Sequence, residues 1–170
     1  MVTKAKKALL ASLAAFLCVM LTVFGLSMSV SLSETAKAAD ETSAVAKVGS
    51  TTYETLNGAI DAAAEGNTVT LLKDTTENVV VDKDITLDLN GKTLTGTKTS
   101  GKASLTVVKG ATATVKNGTI LGTENGYYTI QNNGTATFES LTATAGNTGS
   151  SMIDNWGTLT INSGEYTGGL

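Results

Sequence analysis

The sequence predicts an all-β fold, a parallel β-helix built from 23-residue rungs and preceded by a capping α-helix. A rung is one full turn of the solenoid. Three observations carry this prediction: a fixed 23-residue period in the last third of the chain, apolar and polar residues that alternate within each period, and a short helical pattern upstream. A period of about 20 to 50 residues is typical of stacked repeats, and alternation with period two indicates β-strands.

Threonine and apolar residues occupy matching positions in three successive periods, without insertion or deletion. Side chains that alternate along a strand point to opposite faces, so Ala113 and Val115 are expected inside the coil and their threonine neighbours outside. One such rung is stable only when it stacks on others. The matched sets are Val107/Ile130/Ile153, Thr112/Thr135/Thr158, Thr114/Thr137/Thr160, Val115/Phe138/Ile161, Ile120/Ala143/Tyr166 and Gly122/Ala145/Gly168.

The period lengthens upstream. Leu94 lies 26 residues before Ile120, which predicts an insertion of three residues, placed in the polar loop 98–102. Strand-like runs at 69–72, 79–81 and 85–89 are separated by turn signals such as Asn90-Gly91. The β-helix is therefore predicted over residues 67–170.

Residues 39–66 are predicted to form an N-terminal strand and a capping helix of about three turns. Thr51 and Glu54 have the spacing of a capping box, and Gly66 supplies a stop signal. Such a helix would cover the apolar end of the first rung. The apolar residues at helical spacing are Tyr53, Leu56, Ile60 and Ala63.

The first 38 residues have the layout of a secretory signal peptide. Lysines at 4, 6 and 7 precede an apolar stretch over 8–30, and Ala36-Lys37-Ala38 offers a cleavage site. A retained membrane anchor is the alternative, because the stretch approaches spanning length. The cleavage site and the lack of other apolar runs favour removal, which also removes Cys18. The protein is therefore expected to be secreted or displayed at the cell surface, with no membrane contact after cleavage.

The chain that remains after cleavage has no cysteine, histidine, arginine or proline, and its eight lysines against fourteen acids give a net charge of −6. An exported chain without cysteine does not use the disulfides of small secreted domains. Its negative charge disfavours nucleic acid and anionic lipid as partners.

The segments 49–63, 66–72 and 85–94, the last containing Leu89-Asn90-Gly91-Lys92-Thr93, resemble the opening of right-handed parallel β-helix proteins of the pectin-lyase-like superfamily. More narrowly, they are similar to surface and adhesin-like proteins of Gram-positive bacteria. The resemblance implies a right-handed coil. It does not choose a function, since that superfamily includes polysaccharide lyases, glycosidases, adhesins and stalks.

Three aspartates, Asp82, Asp84 and Asp88, share strand parity and are expected to point outward together. They could bind calcium, or they could form an ordinary solvated face. The basic residues that enzymes of the superfamily use as base and substrate clamp are missing, because the chain has no arginine or histidine. We therefore predict no catalytic residue, no cofactor and no enzymatic activity.

A ladder of threonines is a second candidate contact surface. Its members are predicted to lie about 4.8 Å apart between rungs and about 6.6 to 7 Å apart along a strand. Such a lattice resembles the surface of β-helical ice-binding proteins, although threonine is also what exposed strands prefer. The ladder comprises Thr112, Thr114, Thr135, Thr137, Thr158 and Thr160.

Trp156 replaces Asn133 at the equivalent turn and is the third candidate. It could stack on a sugar ring, or it could cover a gap at the turn. Asn132 and Asn155 share a register one residue earlier and are expected to form a hydrogen-bonded ladder.

The chain ends at a rung boundary without a recognisable cap, so a continuation of the chain is expected to cap the solenoid. Without it, Leu159, Ile161 and Tyr166 should face solvent.

The function expected from these observations is that of a non-catalytic module, adhesin-like or stalk-like, which binds carbohydrate or a host or cell-surface protein through weak multivalent contacts. One alternative is the N-terminal portion of a polysaccharide lyase or glycoside hydrolase with its active rungs downstream. A minor alternative is ice binding through the threonine ladder.

Overall fold

The structure is a computed structural model that describes residues 43–147, 149 and 151–168. These residues form a β-solenoid of about four turns with parallel sheets and one helix, which confirms the predicted fold class. The predicted signal peptide lies outside the described residues. Within them, no helix is both long enough and apolar enough to span a membrane.

The helix α1 covers Leu56–Ala62 and lies between the second and third strands. The strands are β1 (Ala46–Val48), β2 (Thr51–Tyr53), β3 (Thr68–Leu71), β4 (Thr75–Thr76), β5 (Val79–Val81), β6 (Ile85–Asp88), β7 (Thr93–Thr95), β8 (Leu105–Val107), β9 (Thr112–Leu121), β10 (Tyr128–Asn132), β11 (Thr135–Thr144), β12 (Ser151–Asn155), β13 (Thr158–Ile161) and β14 (Gly164–Thr167).

The strands form two sheets. The larger has the order β13-β11-β9-β6-β3-β1-β2, with β4, β7 and β14 alongside, and the smaller has the order β12-β10-β8-β5. Strand β1 pairs antiparallel with β2 and β3, whereas the other pairings within both sheets are parallel. From β5 onward, each rung contributes one strand to the smaller sheet and then one long or two short strands to the larger.

Strands β9 and β11 are each ten residues long. Each bends in the middle at a residue with positive φ, which is 58° at Asn117 and 50° at Ser140. Asn90, at the equivalent corner one rung earlier, has φ of 50°. Asparagine tolerates this left-handed conformation better than most side chains, so two of the three corners have a residue suited to them, whereas the third has Ser140.

The pairing of β8 with β10 differs from the prediction. Ile130 pairs with Leu105, and Val107 pairs with Asn132, so the predicted equivalence of Val107 with Ile130 is wrong. The prediction of Ile153 opposite Ile130 is confirmed. A shift of two residues leaves the inward face inward, and the apolar pattern alone therefore could not distinguish the two registers.

The insertion upstream is also distributed differently. The offset between paired residues is 26 for Leu94 and Ile120, 25 for Leu105 and Ile130, and 23 for Thr112 and Thr135. One extra residue therefore lies between β7 and β8, and two lie in the turn between β8 and β9. The prediction that the loop 98–102 holds all three is wrong.

The N-terminal cap begins with a hairpin, because Thr51–Tyr53 pairs with Ala46–Val48. The predicted capping box at Thr51 is therefore wrong. Helix α1 has seven residues, shorter than predicted, and its N-cap is Thr55, whose side chain accepts from the Gly58 amide at 3.0 Å. The buried Leu56, together with Ala59 and Ile60, packs onto the first rung as expected of a lid.

Two charged side chains on either side of β5 hold the ends of α1. The Glu77 carboxylate accepts from the Leu56 amide at 2.8 Å, from the Asn57 amide at 3.1 Å and from Asn57 Nδ2 at 3.0 Å. At the other end, Lys83 Nζ donates to the Asp61 carbonyl at 3.0 Å. Helix ends leave amides and carbonyls unsatisfied and favour an anion at the start and a cation at the end. Glu77 and Lys83, which flank β5, thus hold both ends of the helix.

The core is a set of apolar columns that run along the solenoid axis. One column contains residues paired in register from the first rung to the last: Val69, Leu87, Val115, Phe138 and Ile161. The first four are fully buried, whereas Ile161 is 47% exposed. Leu159 and Tyr166, the other two side chains that the sequence predicted to face solvent, are both half-buried.

Tyr166 stacks on Phe138 with ring centroids 6.5 Å apart. Its Oη is inaccessible to solvent and has no hydrogen-bond partner among the described residues. Burial raises the pKa of this phenol above its usual value of 10.0. The neutral phenol is therefore favoured in the folded state.

We expect Tyr166 to make the protein less stable in alkali. A raised folded-state pKa contributes stability below the unfolded value, about 10, and this contribution is lost as the pH rises through the folded value. Replacing Tyr166 by Phe should remove that loss and leave stability at neutral pH unchanged or higher by up to about 1 kcal/mol. Urea unfolding between neutral and alkaline pH measures this. Tyr127→Phe, at an exposed position, is the control, and an unchanged alkaline slope in Tyr166→Phe would contradict the assignment.

Candidate functional site

A column of five outward threonines crosses the larger sheet. Register pairs Thr68 with Thr86, Thr86 with Thr114, Thr114 with Thr137 and Thr137 with Thr160. The end members are exposed and the middle ones half-buried. We call this set the threonine column.

A second, shorter row lies two residues earlier in each strand and contains Thr112, Thr135 and Thr158, all exposed. The predicted registers of both rows are confirmed. Sequence reasoning found three members of the threonine column and missed Thr68 and Thr86. Their spacings to the next member, 18 and 28 residues, depart from the 23-residue period.

The three aspartates do not come together. Asp84 accepts a hydrogen bond from the Thr112 amide at 2.8 Å, and Asp88 accepts one from the Asn90 amide at 2.9 Å. Asp82 Oδ1 lies 3.9 Å from Lys83 Nζ. Each carboxylate thus serves its own turn. Within residues 43–147, 149 and 151–168, no group of three or more histidine, cysteine or acidic side chains could hold a metal ion.

Trp156 does not cover a gap. It is 79% exposed, more than Val80, Tyr127 or Ile161. Its indole Nε1 donates to Asp154 Oδ1 at 2.9 Å, and Gln131 Nε2 donates to Asp154 Oδ2 at 3.1 Å. Gln131 and Asp154 are register partners on the outer face of the smaller sheet. We call these three residues the tryptophan platform.

The turn that carries Trp156 is held by an asparagine ladder, as predicted. Asn132 is fully buried and donates from Nδ2 to Asn155 Oδ1 at 2.7 Å, and Asn155 in turn donates to the Gly157 carbonyl at 3.1 Å. The Trp156 amide donates to the Asn132 carbonyl at 2.8 Å. A Cβ at Gly157 would collide with the Gly134 carbonyl, so only glycine fits there. The backbone at Trp156 is therefore fixed on both sides.

Comparison with protein-family models finds no matching family, and comparison with curated proteins and with solved structures finds no match. The chain is a parallel β-solenoid by its own geometry. The threonine rows were partly visible in the sequence as a periodic pattern. Sequence reasoning missed the bonds that Asp154 accepts from Gln131 and Trp156, although the 23-residue spacing of Gln131 and Asp154 could have indicated the first of them.

Proposed function

We propose that this protein is a non-catalytic, secreted or cell-surface solenoid, adhesin-like or stalk-like, that presents a repetitive face for weak multivalent binding. The observation that carries the proposal is the threonine column, five in-register hydroxyl-bearing side chains on consecutive strands of one sheet. Identical groups on a rigid lattice give a polymeric ligand the same contact several times.

Repetition supplies the affinity in this proposal. A single threonine contact contributes little, but contacts held at a fixed spacing engage as linked events, and avidity can exceed single-site affinity by orders of magnitude. The spacing is set by backbone pairing at about 4.8 Å between strands, so the scaffold does not have to be ordered when the ligand binds.

Carbohydrate or a host or cell-surface protein is the proposed partner class. The excess of fourteen acids over eight lysines in residues 39–170 disfavours polyanionic partners such as nucleic acid. The lysine-rich start, apolar stretch and Ala36-Lys37-Ala38 site support export. The resemblance of segments 49–63 and 85–94 to β-helix proteins of the pectin-lyase-like superfamily and to Gram-positive surface proteins is consistent with this placement.

Bead retention under flow tests the proposal. Beads coated with the protein at increasing density are passed over surfaces that carry neutral glycans, acidic glycans or extracellular matrix proteins. Retention should rise much faster than linearly with coating density on at least one surface, because bonds form in parallel. Thr114→Val combined with Thr137→Val removes two hydroxyls from the threonine column at nearly constant volume and should reduce retention severalfold.

The matched control makes the same chemical change away from the column. Thr51→Val combined with Thr52→Val alters two exposed threonines of β2 and should leave retention unchanged. Retention that scales linearly with density, or that falls equally in both double variants, would refute the proposal.

A further inference from the structure

The tryptophan platform lies on the smaller sheet, and the threonine column lies on the larger. We infer that Trp156, Asp154 and Gln131 form a separate binding site for a neutral saccharide, with the indole as the stacking surface and the carboxylate and amide as hydroxyl partners. This inference goes beyond the proposed multivalent role and does not depend on it.

The indole of Trp156 is available to a ligand. The side chain is 79% exposed, so most of its aromatic surface is left to solvent. A tryptophan face carries negative quadrupole charge and attracts the weakly positive C–H bonds on the flat face of a pyranose ring.

Hydrogen bonds hold both the backbone and the side chain of Trp156. The Asn132–Asn155 ladder fixes the backbone on which Trp156 stands, and the bond from Nε1 to Asp154 at 2.9 Å fixes the indole. A freely rotating exposed side chain would lose rotamer entropy when a ligand stacks on it, about 0.5 to 1.5 kcal/mol. The bond to Asp154 favours one orientation of the indole in the free protein and so lowers that cost.

Polar groups lie beside the indole. Asp154 Oδ1 faces the indole and Oδ2 faces Gln131 at 3.1 Å, so both oxygens have defined directions. Each carboxylate oxygen has a further lone pair that can accept a hydrogen bond from a sugar hydroxyl. The side-chain oxygen of Gln131 is an additional acceptor. A stacking face beside a few oriented polar groups is the usual composition of a specific small-ligand site.

Charge selects among saccharides. The only ionisable side chain of the platform is the acid Asp154, and residues 39–170 carry a net charge of −6. A uronate or sulfated sugar would meet like charge, which disfavours its binding. The structure therefore favours a neutral pyranose polymer.

The fluorescence of Trp156 tests the site directly, because it is the sole tryptophan of the chain. The exported chain is titrated with cellohexaose, chitohexaose and mannohexaose, and with hexagalacturonate as the anionic comparison. At least one neutral hexaose should change the emission saturably and reduce quenching by acrylamide, with a dissociation constant between about 10 μM and 1 mM. Hexagalacturonate should produce no saturable change.

Calorimetry on variants tests the roles of the residues. Trp156→Ala should lower the affinity for the responding hexaose by at least about tenfold. Trp156→Tyr should keep that affinity within about fivefold of the parent chain, because an aromatic ring remains. Asp154→Asn keeps an oxygen acceptor for Nε1, so it should bind more tightly than Asp154→Ala. Tyr127→Ala, a second exposed aromatic, should bind like the parent chain.

No saturable response to any neutral hexaose at about 10 mM would overturn this inference. So would a response to hexagalacturonate alone, or undiminished binding by Trp156→Ala. Bead retention that depends on the threonine column would survive each of these outcomes, so the inference and the proposed function can fail independently.

Discussion

Replacing Phe138 by Ala should lower the free energy of unfolding by about 3 to 5 kcal/mol. Phe138 is fully buried, is paired in register between Val115 and Ile161, and stacks on Tyr166 at 6.5 Å. Truncation leaves a cavity within an apolar column, and the neighbouring rungs cannot close it because their spacing is fixed by backbone pairing. Urea denaturation followed by circular dichroism measures the change.

The adjacent residue is the natural control, since Thr137 lies on the same strand with its side chain pointing outward. Thr137→Ala should cost under about 1 kcal/mol. Equal losses in the two variants would contradict the assignment of Phe138 to the core and Thr137 to the surface, and a larger loss at Thr137 would mean that the two faces of β11 are reversed.

Replacing Glu77 by Ala should cost about 2 to 4 kcal/mol, because three donors of α1 lose a charged acceptor at once. The donors are the Leu56 amide, the Asn57 amide and the Asn57 side chain. The cap should loosen before the rest of the solenoid. Hydrogen exchange at the amides of Leu56 and Asn57 should therefore accelerate more than exchange in β9 or β11.

Glu54 provides the contrast, because sequence spacing had marked it as the helix-capping acid. It is exposed and precedes the observed N-cap, so Glu54→Ala should change stability by less than about 0.5 kcal/mol. A larger effect at Glu54 than at Glu77 would contradict the observed cap.

The sequence was sufficient where the period is constant. From Thr112 onward the offset between rungs is 23 residues, and the predicted pairings of threonines with threonines and of Val115 with Phe138 are confirmed. In the same region the asparagine ladder followed directly from two residues one period apart.

Prediction failed where turns change length. Val107 could face Ile130 or Asn132 with its side chain inward in both cases, and the choice depends on the turn after β8. The predicted capping box was wrong for a different reason: Thr51 pairs with a residue of β1 in a hairpin and does not begin the helix. Glu77 and Lys83 act on a helix about twenty residues away, and local pattern carries no information about such contacts.

The contacts of Glu77 and Lys83 with α1 also set the order in which the chain can fold during synthesis. A seven-residue helix is too short to be stable alone. The helix therefore cannot form stably until the residues that hold its ends, 20 to 22 positions downstream, have left the ribosome. From then on each new rung finds its partner already folded one period behind it. The rungs therefore leave the ribosome in the same order in which they can pair. A nascent chain arrested before Lys83 has emerged should remain susceptible to proteases.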